Sequence, residues 1–187
     1  MALRDPGLPV EPGGPTPPLP APPEPLTWVC WGILFGSVGW FAARHLFLGQ
    51  PSPLLVLDGA QVREGDWWRV FLCVFEHGNL IHLAFNMSAV WTLGRVLEVG
   101  VGPFRMLITS VVGALGSALF VLLFNFDQPT VGASGVILAW GGAILPIDTQ
   151  HGRKSIGTWL AQVAVISLLP GISWAGHLGG FLLGLPC

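Results

Sequence analysis

The chain has 187 residues, 52% of them hydrophobic and only 10% charged, against roughly 25% charged in an average soluble domain, which excludes an ordinary water-soluble globule. Eight Lys and Arg against ten Asp and Glu leave a net charge of -2, so the chain carries neither the basic surface of a nucleic-acid binder nor an acidic tail. Three scattered cysteines, Cys30, Cys73 and Cys187, lack CxxC spacing and signal neither a disulfide framework nor a zinc site.

Residues 1–26 hold ten of the 17 prolines, and Pro6, Pro9, Pro12, Pro15 and Pro18 recur at every third position. That period suits an extended, disordered polyproline tail that packs no core. A PxxP ligand is a weaker alternative, and a charged start followed by an apolar run, as in a signal peptide, is lacking. Residues 27–187 then read as one membrane domain. Trp28–Leu48 is a 21-residue apolar stretch, enough to span a core that takes about 20 helical residues. Arg44 lies near its far end, where a long side chain is expected to reach the interface. Gly49–Gly78, with Asp58, Arg63, Glu64, Asp66, Trp67, Trp68 and Arg69, suits an interfacial loop.

Five further apolar stretches follow: Asn79–Val99, Phe104–Phe126, Ser134–Ile147, Ile156–Leu169, and Ile172 to the end. The expected fold is an all-α membrane protein, a bundle of six transmembrane helices. The fourth stretch has 14 residues before Asp148 and reaches only about 21 Å as a helix, so it is expected to start inside the bilayer, shielded by protein or facing a wet cavity. The sixth has ten residues after His177, about 15 Å of helix, which points to a truncated last span. With the amino terminus cytosolic, Arg4, Arg95, Arg105, Arg153 and Lys154 fall inside and Arg63 and Arg69 outside; this asymmetry favours that orientation.

Polar residues in spans are functional candidates by default. The second stretch and its approach carry Glu76, His77, His82, Asn86 and Glu98; His82 and Asn86 are four apart and share a helix face. As metal ligands they lack HExxH spacing and a completing shell, so neither metal nor other cofactor is expected; helix–helix hydrogen bonding is the plainer alternative. Asn86-Met87-Ser88 matches a glycosylation sequon but lies within a span.

The fourth stretch opens with Gly132-Ala133-Ser134-Gly135, and the sixth carries His177 within Ala175-Gly176-His177-Leu178-Gly179-Gly180. The serine alone reads as an N-cap; with a histidine available it reads as a nucleophile and its base. Gly135, Ala139 and Ala143, and Gly176, Gly180 and Gly184, recur at every fourth position, and such stripes let membrane helices approach closely. Face to face, they would bring Ser134 and His177 together. His82, Asn86 and the Ser134 backbone N–H would then serve as oxyanion donors. No buried acid follows His177, so a dyad is expected in preference to a triad.

The joint pattern of His77, His82 and Asn86, the Gly132–Gly135 cluster and His177 among glycines resembles the rhomboid intramembrane serine proteases over about residues 28–185. Trp68-Arg69 is similar to that family's Trp-Arg motif in the first outer loop, and Glu98 to the acid at the inner end of its second helix. The resemblance implies Ser134 as nucleophile, His177 as general base and then acid, His82 and Asn86 at the oxyanion, and structural roles for Trp68, Arg69, His77, Glu98, Gly132, Gly135, Gly176 and Gly180. It implies a multi-pass protein, expected in the cell membrane, whose site opens to the extracytoplasmic side. Its expected substrates are transmembrane segments of other proteins, with the fifth span acting as a gate. A catalytically silent relative that binds transmembrane helices is the alternative. A channel or transporter would need paired inward charges or an inverted repeat, and the sequence displays neither. The family's tyrosine four residues after the nucleophile is Leu138 here, and with no tyrosine in the chain, Trp140 or Phe181 is expected to pack on His177 instead.

Overall fold

In the computed structural model, which describes residues 27–48, 53–147 and 150–187, the chain is helical, with no β-strand among those residues. The proline-rich stretch 1–26 lies outside the described residues. Helix α1 (Trp28–Ala43) continues as a π-helical turn, Arg44–Leu48. Short helices α2 (Gly59–Arg63) and α3 (Arg69–Leu72) structure the segment that the sequence reads as a plain loop. Helix α4 (Leu80–Ala89) runs through a π turn into α5 (Arg95–Val101). Then come α6 (Pro103–Phe124), α7 (Ser134–Ile147), α8 (Gln150–Ile166) and α9 (Trp174–Gly184). The segments Leu80–Val101 and Pro103–Phe124, each 22 residues, are long and apolar enough to cross a membrane.

Helix starts are capped by side chains from near and far. Asp58 accepts from the backbone N–H groups of Ala60 and Gln61, and Asn79 from that of His82. Thr27 caps nothing; instead Glu98 accepts from Val29 N at 2.8 Å and Cys30 N at 2.9 Å. A carboxylate from α5 thereby satisfies orphan donors at the positive end of α1. Gly102, at φ +85°, breaks the chain between α5 and α6, and Pro103 opens the next helix. Helix α8 begins at Gln150, six residues before the expected Ile156. Apolar composition marks where a helix meets lipid, whereas Gln150–Ser155 is polar and still helical.

Helix α7 is the centre of the molecule. Val136, Ile137, Leu138, Ala139, Trp140, Ala143 and Ile144 are all buried, as suits a helix apolar on every side. It packs chiefly between α6 and α9. A Cβ at Gly180 would collide with Gly135 backbone, and one at Gly184 with Ala139 backbone. The two small-residue stripes therefore face each other, backbone against backbone.

Arg44 corrects the expectation that its side chain reaches the interface. It is 1% exposed and ion-paired with Glu76, also 1% exposed. The guanidinium also donates to His77 O at 3.1 Å, and Trp40 Nε1 donates to Glu76 Oε2 at 2.7 Å. A charge pair thus exists where the sequence displayed none, but it is sealed in protein and staples α1 to the entry of α4. Breaking such a pair strands a buried charge, at a cost of about 3–5 kcal/mol, whereas replacing both partners by apolar groups is often close to neutral. Glu76→Ala is accordingly expected to lower unfolding stability by about that amount, and Arg44→Met combined with Glu76→Leu to recover most of it. Denaturant titration in detergent micelles measures both.

Candidate active site

Ser134 is the first residue of α7. Just before it, Gly132 turns the chain at φ +115°, and a Cβ there would lie 2.8 Å from the His82 imidazole. Only glycine meets both demands. The Gly132 N–H donates to Cys73 O at 2.9 Å, and Thr130 forms an antiparallel bridge with Leu57. The approach to Ser134 is thereby tied to the first loop.

His177 lies in the first turn of α9, whose N-cap Ser173 accepts from Gly176 N. Its Nε2 is 2.8 Å from Ser134 Oγ, across 43 residues of sequence. Its Nδ1 is 2.5 Å from Ser167 Oγ, just past the end of α8, and Ser167 Oγ in turn donates to Val163 O at 2.7 Å. Ser167 is the site residue that sequence reasoning missed. The signal available was a hydroxyl near the end of an apolar stretch, with no spacing to connect it to His177.

His82 and Asn86 flank Gly132, so they stand on the approach to Ser134. Asn86 Nδ2 donates to His82 O at 2.9 Å and keeps a second N–H. His77 is fully buried, donates from Nδ1 to Phe75 O, and sets its ring edge-on to His82 at 5.1 Å between centroids. It therefore backs the His82 ring. Arg69 is buried and donates to Asp66 Oδ2 and Val56 O, each at 2.9 Å, which pins the first loop; neighbouring Trp68 is 48% exposed. Gly135 and Gly176 both lie against Ser117 Oγ of α6.

Trp140 does not pack on His177. It is fully buried in the main core, donates from Nε1 to Ser110 Oγ at 3.0 Å, and abuts Gly94. Leu138, at the position of the missing tyrosine, is buried. His177 Nδ1 instead meets the Ser167 hydroxyl.

Ser134, His177, Gly132, Ser117, Ser173 and Cys73 are among the residues lining a cavity of about 10 Å³, room for about one water-sized sphere. Burial pushes the Cys73 thiol up to about 12, so this neighbour supplies no thiolate at neutral pH. What remains at the cavity is a hydroxyl bonded to a ring nitrogen, beside a helix start and an amide, an arrangement suited to acyl transfer.

A Rhomboid domain family model matches residues 64–186, about two thirds of the chain. Rhomboid protease GluP of Bacillus subtilis is 28% identical over 135 residues, covering 68% of this chain and 26% of that protein. Rhomboid protease AarA of Providencia stuartii is 26% identical over 166 residues, covering 70% and 59%. Putative rhomboid protease YdcA of Bacillus subtilis is 30% identical over 169 residues, covering 78% and 83%. The chain thus spans about a quarter of the first of these relatives and most of the last.

Proposed function

Because this chain belongs to the rhomboid family of integral membrane proteins, we propose that it is an intramembrane serine endopeptidase cleaving transmembrane segments of other proteins through a Ser134–His177 dyad. The observation that carries this reading is the 2.8 Å contact between Ser134 Oγ and His177 Nε2. In the acylation step Ser134 Oγ attacks the scissile carbonyl carbon while its proton passes to Nε2; the resulting imidazolium then protonates the leaving amine. Water, activated by the same nitrogen, hydrolyses the acyl-enzyme.

His82, the free N–H of Asn86 and the backbone N–H of Ser134 at the start of α7 are the oxyanion donors in this scheme. The first-turn N–H groups of a helix have no intrahelical partner, and one such donor is worth about 3 kcal/mol in the transition state. Six membrane spans, with α7 beginning below the outer surface and the amino terminus cytosolic, complete the proposal. The small cavity admits no peptide as it stands, so entry requires displacement of a neighbouring element. Helix α8 is suited to that, since it packs mainly on α7 and exposes Val165 and Ile166.

The test is covalent labelling by a fluorophosphonate probe in detergent or liposomes. The wild type is expected to label and to cleave a model transmembrane substrate, and Ser134→Ala to do neither. Cleavage by Ser134→Ala at the wild-type rate overturns the assignment. Absence of labelling in a wild type that still binds a membrane segment assigns the chain instead to the silent helix-binding class.

A further inference from the structure

Proton counting at the site identifies a further working residue. Three heavy-atom contacts run in series: Ser134 Oγ to His177 Nε2 at 2.8 Å, Nδ1 to Ser167 Oγ at 2.5 Å, and Ser167 Oγ to Val163 O at 2.7 Å. Three protons are available for them, one on each hydroxyl and one on the neutral ring. The carbonyl at the end of the series brings none. Each contact holds one proton in only one arrangement: Ser134 donates to Nε2, Nδ1–H donates to Ser167, and Ser167 donates to Val163 O. Reversing the series would leave the lone pairs of Ser167 Oγ and Val163 O facing each other at 2.7 Å.

From this we infer that Ser167 is the positioning residue for the base, fixing His177 in the tautomer whose bare Nε2 accepts the Ser134 proton. The hydrogen bond at one ring nitrogen decides which state the other adopts. In a triad that task falls to a carboxylate on Nδ1; here a hydroxyl performs it, held by its own bond back to the preceding helical turn. Ser167 is itself buried, at 6% exposure, so water does not readily replace it. During acylation the Ser134 proton moves to Nε2 as the Oγ–C bond forms, while the Nδ1 proton stays on its bond to Ser167. The imidazolium therefore holds both protons with one acceptor in place, ready to return the Nε2 proton to the leaving amine.

The inference rests on the protease reading for its rate consequences, but its tautomer can be read without any activity. Selective ¹⁵N labelling of histidine, with His177 identified by difference against His177→Ala, is expected to show protonated Nδ1 and bare Nε2 in the wild type and a mixture of both tautomers in Ser167→Ala. Ser167→Ala is also expected to slow the maximal rate of fluorophosphonate inactivation, leaving half-saturation within about twofold. The expected loss is about 10- to 100-fold, below the about 10⁴-fold cost when a triad change enforces the wrong tautomer, because alanine permits either one. Ser167→Thr keeps a hydroxyl that bonds to the preceding turn and is expected to restore both spectrum and rate. Protonated Nε2 in the wild type, wild-type inactivation by Ser167→Ala, or failure of Ser167→Thr to rescue overturns the inference. A wild type that is never labelled defeats the protease reading and leaves the tautomer result standing on its own.

Discussion

His177→Ala is expected to cut the rate of substrate cleavage by about 10²- to 10⁴-fold, the usual contribution of a positioned general base, equivalent to about 3–5 kcal/mol of transition-state stabilisation. The ring is replaced by a methyl group, so Ser134 Oγ loses the nitrogen that lies 2.8 Å from it. Cys73 cannot substitute as nucleophile, since its buried thiol stays protonated. Groups that act as one unit lose most of their effect when either is removed. The double variant Ser134→Ala with His177→Ala should therefore be no slower than Ser134→Ala alone. Additive losses would show that the two side chains act separately and that their 2.8 Å contact is a structural hydrogen bond.

The residues that could be read from the sequence share a property: their meaning is carried by spacing along one helix. Gly135 and Ala139 on α7 and Gly180 and Gly184 on α9 each recur at four-residue intervals, and that period alone predicts two backbones in contact, which the packing displays. Ser134 and His177 lie beside that contact, so their approach followed from it. His82 and Asn86 share a face for the same reason. Features built from one residue on each of two distant segments carried no such mark. Arg44 reads as an interfacial side chain because Glu76 lies 32 residues away. Glu98 gives no hint that it caps α1 across 69 residues. Ser167 looks like any hydroxyl bonded to its own helix until α9 brings Nδ1 to it. Trp140 fits a position beside His177 by composition, yet its indole N–H finds Ser110 in the core.

Buried charge follows the same rule. The candidate site itself is built from serine, histidine and asparagine side chains. The folded chain also buries Arg44, Arg69, Glu76 and Glu98, each supplied with partners: Arg44 with Glu76, Arg69 with Asp66 and the Val56 carbonyl, and Glu98 with two backbone N–H groups. Paired or capped ions of this kind hold the first loop and α1 in place around the neutral dyad, where an unpaired ion would be prohibitive.

The closest of these packings sets the second large effect. Gly180→Val is expected to destabilise the protein by about 3 kcal/mol, the upper end for overpacking, and to lower cleavage by about 100-fold or more, as a displacement of about 1 Å at reacting groups does. A Cβ at Gly180 would fall on the O, C and Cα atoms of Gly135. Backbone cannot rotate aside as a side chain can, so α7 and α9 must separate. Gly135 is the neighbour of Ser134, and Gly180 lies three residues beyond His177 on α9; the separation is therefore applied where the two reacting atoms meet. Gly39→Ala in α1 is the control, because a Cβ there has no neighbour within 4 Å and alanine is favoured over glycine in a helix by about 0.5–1 kcal/mol. It should leave stability equal or higher and cleavage unchanged. Stability by denaturant titration and cleavage in the same micelles separate the cases: a Gly180→Val protein that is destabilised yet cleaves at the wild-type rate would mean that the α7–α9 contact holds the bundle without setting the distance from Ser134 to His177.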